Sequence, residues 1–439
     1  MQNPPSLSLS RPRRVAVLGA GIVGLTTAWQ LQRDGFDVTV IDQGRPGEGA
    51  SAANGAQLSY AYVQPLADPS IWRQLPKLLL SRRSPFSLRL RADPAQWAWG
   101  LRFLAACNAE VSARSTARLL ALAEESRDVL QRLLADTRAD CDFLASGKLV
   151  MYGDEAAFAA ARRQMELQRL LGGAEQRALS LNECLRVEPA LAGSQATWVG
   201  GIHTPGECAA DCARLCEALH AVLETRGVRF VLGSPIGEWR REHERLVAVQ
   251  AADSWIEADA FIVALGTGAA ALGRRLGARV PVYPLKGYSL TLGLPPESTA
   301  LPTVSVTDAS RKLVFARLGQ RLRVAGLAEL AGHDTRLDPN RVAQLRQAAA
   351  EVFPMVGASQ DVRAWAGLRP ATPTGVPILG TVAGAPENVL FNAGHGALGF
   401  TLASGSAQRV SHLLQGAVGG PRGLAAFRRS AAKPAAGSA

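Results

Sequence analysis

The chain predicts a mixed fold, part α/β and part α+β. A parallel-sheet domain, discontinuous in sequence, is interrupted by a second domain with a mainly antiparallel sheet and a helical insertion. Three stretches carry that reading. Residues 13–42, RRVAVLGAGIVGLTTAWQLQRDGFDVTVID, give a buried strand, a glycine turn, a helix and a second buried strand. Residues 93–136 keep helical apolar spacing. Residues 303–330 alternate apolar and polar positions in three short runs, as half-buried antiparallel strands do.

The first stretch is the opening unit of a Rossmann-like domain. Gly19, Gly21 and Gly24 form Gly-x-Gly-x-x-Gly between strand and helix. Gly19 permits the tight turn, Gly21 lets the backbone approach a pyrophosphate, and Gly24 lets the helix pack on the strand. The free N–H groups of the helix start then face the phosphates. Leu18, Ala20, Ile22 and Val23 complete the candidate binding turn. Asp42, followed by Gln43, ends the second strand, where a carboxylate accepts ribose hydroxyls and repels a 2′-phosphate. The turn therefore suits FAD or NAD.

Composition limits the alternatives. The 439 residues are 47% hydrophobic and 19% charged, enough for two packed domains and unlike a disordered or fibrous chain. There are 48 Lys and Arg against 37 Asp and Glu, a formal net charge of +11. No basic helix or aromatic-studded sheet motif accompanies that charge, so nucleic acid is not an expected partner. Met1 to Pro12 has no apolar core, and no run reaches 18 apolar residues, so the expectation is a cytoplasmic protein without a spanning helix. Cys208, Cys212 and Cys216 recur every fourth residue, as one stripe of a helix would. Without a nearby fourth ligand they read as small core residues, and no metal site is expected.

After Asp42 the chain enters a loop-rich run, GRPGEGASAANGAQLSYAYVQP, in which Ser51, Asn54 and Gly55 stand among small residues. GAGIVGLTTAWQL, VTVID and SAANGAQLSYAY together resemble the D-amino acid oxidase superfamily of flavoproteins, and within it the bacterial D-amino acid dehydrogenases of small-subunit type. The resemblance implies that Ser51, Asn54 and Gly55 run along the ribityl chain and flavin of FAD, and that the region of Tyr60 and Tyr62 approaches the substrate pocket. Residues 71–91 mix Trp72, Leu75, Leu78, Leu79 and Leu80 with Arg73, Lys77, Arg82, Arg83, Arg89 and Arg91. That composition suits either a cap over the site or an amphipathic segment resting on anionic lipid.

Helical spacing then fills 93–136, GKLVMY opens a second sheet, and GGIHTP is expected to return the chain to the first domain. Asp211 or Glu207 starts the next helix, VRFVLG is a strand, and WIEADAFIVALGTGA is a strand ending in a turn at Gly266. The run GECAADC departs from the Gly-Asp-Glu-like sequence of the family. VPVYPLKGYSLTL resembles the family's domain crossover, and there Tyr288 is a candidate second hydrogen-bond donor to substrate. LDPNRVAQLRQAAAEVF reads as a capped helix crossing the antiparallel sheet.

AWAGLRPATPTGVPILG carries the Gly-Leu-Arg-Pro element whose arginine, here Arg369, the resemblance places against the substrate carboxylate. VLFNAGHGALGFTLA carries a glycine turn into a helix, with Gly394, His395, Gly396 and Gly399 implied at the flavin pyrimidine edge. The implied FAD-binding domain is 13–66, 200–275 and 364–417. The substrate domain is 67–199 and 276–363, with 1–12 and 418–439 as flexible termini.

A nicotinamide enzyme would use the first motif but would leave the second small-residue run and the late GHGALG turn without a purpose, so FAD is the expected cofactor. No Cys or His lies in the ribityl segment, and His395 is the one attachment candidate, so the FAD is expected to be non-covalent. The implied reaction passes hydride from Cα of a D-amino acid to flavin N5, leaving an imino acid that hydrolyses to a 2-oxo acid and ammonia. Electrons then pass to a quinone-type acceptor, with a peripheral place on the inner face of the cytoplasmic membrane. The rivals are a related amine oxidoreductase acting on hydroxyproline, glycine or an opine, and a flavin-bearing assembly subunit of a larger dehydrogenase.

Overall fold

The computed structural model describes residues 13–72, 86–170, 173–293, 301–354, 356 and 359–416. The expected flexible termini and the basic residues Arg73, Lys77, Arg82 and Arg83 lie outside the described residues.

Six strands form the first sheet, in the order Ile378–Gly380, Val389–Ala393, Ala260–Val263, Arg14–Leu18, Asp37–Ile41 and Arg229–Val231. All pairs are parallel except the one made by Ile378–Gly380. Strand residues alternate between two cores, as period-two side chains of a sheet covered on both faces must. Val15 and Val17 pack with the helices Ile22–Arg33, Cys212–Thr225 and Gly399–Gly416. Ala16 and Leu18 pack against a three-stranded antiparallel sheet that starts at Ile236 and ends at Glu257.

The second sheet has nine strands and is mainly antiparallel. Its path runs Val362–Ala371, Tyr283–Gly293, Arg321–Leu330, Leu313–Leu318, Ser305–Asp308, Lys148–Tyr152, Gly200–Thr204 and Arg177–Ser180, and Phe86–Leu88 pairs with Arg321–Leu330 off that path. The helix Pro339–Val352, capped by Asp338, crosses one face and fills it with Leu345, Ala349 and Val352.

Three expectations are corrected here. Gly200–Thr204 and Val362–Ala371 pair within the larger sheet, so 200–204 and 364–371 do not return to the parallel domain. Both strands are apolar enough to suit either sheet, and pairing partners are not written in a local pattern. The long insertion helix Ala109–Thr137 packs with the parallel domain: Leu119, Leu122, Leu130 and Leu133 enter its core. The Ser126 hydroxyl there accepts from Gly405 N–H at 3.1 Å, and a Cβ at Gly405 would meet the Leu122 carbonyl at 2.8 Å. Finally, the cysteine stripe is broken. Asp211 caps the helix that begins at Cys212, so Cys212 and Cys216 are buried helix residues, while Cys208 lies in a two-residue strand.

Candidate active site

A cavity of about 1,430 Å³ lies between the two sheets, running from Asp42 and Gly21 at one end to Arg369 and His395 at the other. Its nucleotide end is built by the glycine turn. Gly19 has φ +116°, and a Cβ there would collide with the Ala264 carbonyl. Gly24 is fixed by close helix–strand packing, since its Cβ would strike the Gly19 carbonyl. Gly21 differs: φ is −74°, and a Cβ would meet only the Ser51 hydroxyl, at 3.5 Å. The protein's own packing does not require glycine at 21, and its absent side chain leaves the helix start open to the cavity. Asp42 accepts from Ala20 N–H at 2.6 Å and Gly44 N–H at 2.8 Å, which holds its carboxylate at the cavity rim beside Gln43. Among the expected binding residues, Leu18 and Ala20 turn their side chains into the apolar cores and do not line the cavity.

Residues 51–62 form a strap across the larger sheet. Ser51 Oγ accepts from Ile22 N–H at 3.0 Å, completing the start of the first helix. Asn54 turns the chain by accepting from Ala56 N–H, and its own carbonyl accepts from the buried Arg323 at 2.7 Å. Gly55 lies where a Cβ would be 3.2 Å from Val314, so the strap sits flat on the sheet. Beyond it, both oxygens of buried Glu207 accept backbone N–H groups, from Tyr60 and Ala61, each at 2.7 Å.

That bend decides the tyrosines. Tyr60 is buried with its ring under the Arg127 guanidinium, 4.8 Å away, and does not reach the cavity. Tyr62 lines it instead, together with Lys148, whose ammonium lies 4.6 Å from the Tyr62 ring centroid and donates to Ser59 Oγ at 2.9 Å. Burial lowers the Lys148 pKa to about 8, against an opposing pull from Glu207. Sequence reasoning passed over Lys148, since one lysine at the start of an apolar strand looks like an edge residue.

At the far end, Arg369 lies along the sheet over Gly287, where a Cβ would come within 2.6 Å of its Cζ. It donates to the Leu327 carbonyl at 3.0 Å, and Leu327 adopts φ +54° within its strand, beside a register shift that turns this carbonyl toward the arginine. The guanidinium's open side faces the cavity and not bulk water, and desolvation lowers its pKa to about 10. Tyr288 does not accompany it. Arg369 pairs with Leu285 across the strands, so residues 285, 287 and 289 share its face and Tyr288 points to the other. There the hydroxyl donates to Glu329 at 3.0 Å, and Glu329 pairs with Arg341 at 3.0 Å.

His395 is also reassigned. Its backbone borders the cavity in the turn made by Gly394 (φ +85°) and Gly396 (φ +58°), but its ring is buried and Nε2 lies 2.9 Å from Ser406 Oγ. Burial lowers its pKa to about 4, so it is neutral at pH 7 and braces the turn against the helix. Gly266 (φ +56°) and Gly396 have no atom within 4 Å of an added Cβ, and Gly399 opens the helix. Small residues on three sides thus leave a flat-walled space, and Trp365, missed in the sequence, supplies part of its sheet wall. No three metal-ligating side chains converge among the described residues.

A glycine-turn parallel domain joined through one long cavity to an antiparallel substrate sheet defines a two-domain flavoprotein oxidoreductase. The chain belongs to the FAD dependent oxidoreductase family, which it matches over residues 14–413. It is 46% identical over 413 residues to a Ralstonia nicotianae protein named D-amino acid dehydrogenase 2, covering 91% of this chain and 96% of the relative. A Pseudomonas aeruginosa protein of the same name is 45% identical over 402 residues, covering 91% and 94%. Among solved structures, glycine oxidase from Geobacillus kaustophilus shares the fold with a TM-score of 0.72 at 22% identity, over 92% of this chain and 95% of the other.

Proposed function

We propose that this chain is a dehydrogenase of D-amino acids that uses dissociable FAD and yields a 2-oxo acid and ammonia. The names of the relatives support the substrate class, and one observation carries the site. Arg369 is a desolvated cation whose hydrogen bond goes to a neutral carbonyl and whose free edge faces the cavity. A buried charge without an opposite partner is costly unless a ligand supplies one, and a carboxylate matches the planar guanidinium fork.

The cavity fits FAD. Gly21, Ile22 and Val23 at the helix start would hold the pyrophosphate, with Asp42 and Gln43 at the ribose and Ser51, Asn54 and Gly55 along the ribityl chain. The turns at Gly266 and at Gly394, Gly396 and Gly399 would border the flavin. Bound FAD supplies the two-electron acceptor for the Cα hydride. Arg369 does the rest of the positioning: it fixes the carboxylate, and its positive field disfavours a second cation nearby, which promotes loss of the ammonium proton before oxidation. The walls of the larger sheet hold Cα in place. The test is anaerobic reduction of the flavin by D- and L-amino acids. Bleaching by D-isomers is expected, and bleaching by L-isomers alone, or by neither, refutes the proposal.

The acceptor we propose is a membrane quinone reached by peripheral association with the inner face of the cytoplasmic membrane. In support, Trp72, Leu90, Trp97 and Leu101 are exposed together with Arg89 and Arg91 around the helix Pro94–Ala106, and no helix of the described residues is long and apolar enough to cross a bilayer. Such an apolar and basic surface would rest at an anionic interface. Sedimentation with anionic vesicles at low and high salt checks it, and a protein that ignores the vesicles and reoxidises fastest with oxygen refutes it.

A further inference from the structure

The two glycines under the substrate wall point to a residue that selects the side chain. Gly287 and Gly367 face each other in register on adjacent strands. Each is covered by a longer neighbour on the same face. The Arg369 guanidinium lies over Gly287, while the six-membered ring of the Trp365 indole lies over Gly367, occupying the place a Cβ would take. Directly paired positions are about 5 Å apart. The indole and the guanidinium are thus side by side on one flat patch, and both line the cavity.

We propose that Trp365 is the surface that reads the substrate side chain, giving the enzyme a preference for D-amino acids with aromatic or large apolar side chains. This deepens the reading of Arg369 as the carboxylate anchor. A carboxylate held on that guanidinium has its Cα substituents within one or two bonds of the indole face. The neutral amine gains no hydrogen-bond acceptor on an indole face, so the apolar substituent is the one that gains by lying there. Acidic side chains are not selected by Lys148, the buried lysine that lines the cavity: it is five strands from Arg369, about 24 Å along the sheet, beyond the reach of one amino acid. Basic side chains find no counter-charge, because the two acids lining the cavity, Asp42 and Glu48, stand at its nucleotide end. The side chain packed directly beside the anchor on its own face of the sheet is the indole. Neither glycine has a positive φ, so their service here is the flat space they leave and not a backbone turn.

The experiment uses the FAD-loaded protein and two readouts. The first is the ratio of kcat/KM for D-phenylalanine to that for D-alanine, in wild type, Trp365→Leu and Gly367→Ala, the last of which forces the indole off its seat. The second is calorimetric binding of 3-phenylpropanoate and propanoate, the deaminated counterparts, which cannot be oxidised. Both variants should lower the kinetic ratio and the binding preference by about 10- to 100-fold, the scale set by one large apolar contact. Unchanged ratios overturn the proposal while leaving the D-amino acid assignment intact. A wild type that oxidises neither D-amino acid overturns that assignment and this inference together. Loss of bound FAD in Trp365→Leu would place the indole against the cofactor and also overturn it.

Discussion

Replacing Arg369 by methionine should move stability and activity in opposite directions. Desolvation lowers the arginine pKa from its ordinary value to about 10, which corresponds to roughly 3 kcal/mol of burial cost borne by the folded state at neutral pH. The figure is an upper bound, because the guanidinium has one edge open to the cavity. The hydrogen bond to the Leu327 carbonyl offsets about 1 kcal/mol of it. Methionine can lie in the same trough over Gly287 without charge. The variant should therefore be more stable by about 1 to 2 kcal/mol, which raises Tm by a few degrees in calorimetry with FAD in saturating excess. Losing the charged anchor should cut kcat/KM about 100- to 1,000-fold, and Arg369→Lys should recover only part of that because lysine lacks the two-donor fork. A variant that melts lower and keeps kcat/KM within a few-fold of wild type would show that Arg369 is structural.

Three further predictions concern other parts of the cavity. Gly21→Ala should weaken FAD binding at least tenfold by fluorescence titration while leaving the Tm of the apoprotein within about a degree, because the new methyl meets only Ser51 within the protein. Lys148→Met should be more stable than wild type at pH 7 by about 2 kcal/mol. The lysine is depressed to about 8 in the fold, so wild type gains stability as pH rises from about 8 toward 10.5, and the gap measured by urea unfolding should shrink across that window. The His395 ring is held neutral, with its pKa lowered to about 4. Its contribution is complete above 6.5 and is lost as pH falls toward 4, so His395→Gln should lose about 2 kcal/mol less than wild type between pH 7 and 4.5. A parallel acid profile for the two proteins would remove His395 from the account.

The nucleotide end was legible because its chemistry is local. A turn at φ +116°, a helix start and a strand end all fall within 30 residues, and the three glycines sit where a strand gives way to a helix. The substrate end is assembled across strands, and there the sequence loses parity. Whether Tyr288 shares the face of Arg369 depends on the pairing of Arg369 with Leu285, which no local pattern states. Tyr60 and Tyr62 differ by two positions, which in a strand would place them alike. The Glu207 carboxylate gathers the N–H groups of Tyr60 and Ala61, so the segment bends and parity fails. Trp365 left no signal of its own, since its role depends on a glycine two residues away and another on the neighbouring strand.

Burial alone does not separate the cations that face the cavity from those packed in the wall behind it; partners do. Arg341 is buried, yet it pairs with Glu329, which also accepts from Tyr288, so charge and hydrogen bonds are satisfied within the wall behind the cavity. A network of that kind is self-contained and has nothing left to offer a ligand. Lys148 is as deeply buried and Arg369 is half-buried, but their contacts are a carbonyl for Arg369 and a hydroxyl and a tyrosine ring for Lys148, and both open on the cavity. Their charges lower stability in the empty fold: Glu207 and the Tyr62 ring offset part of that cost for Lys148, whereas for Arg369 an anion arriving in the cavity would offset it. The prediction that removing Arg369 raises Tm as it removes activity follows from this asymmetry. The same substitution at Arg341 should do the reverse, lowering stability by about 2 to 3 kcal/mol because the buried Glu329 would lose its nearer cation and keep only Arg89, at 3.8 Å. The two arginines stand on opposite faces of one sheet, which makes the pair of variants an internal control: equal signs at both positions would mean that Arg369, too, has its partner within the protein.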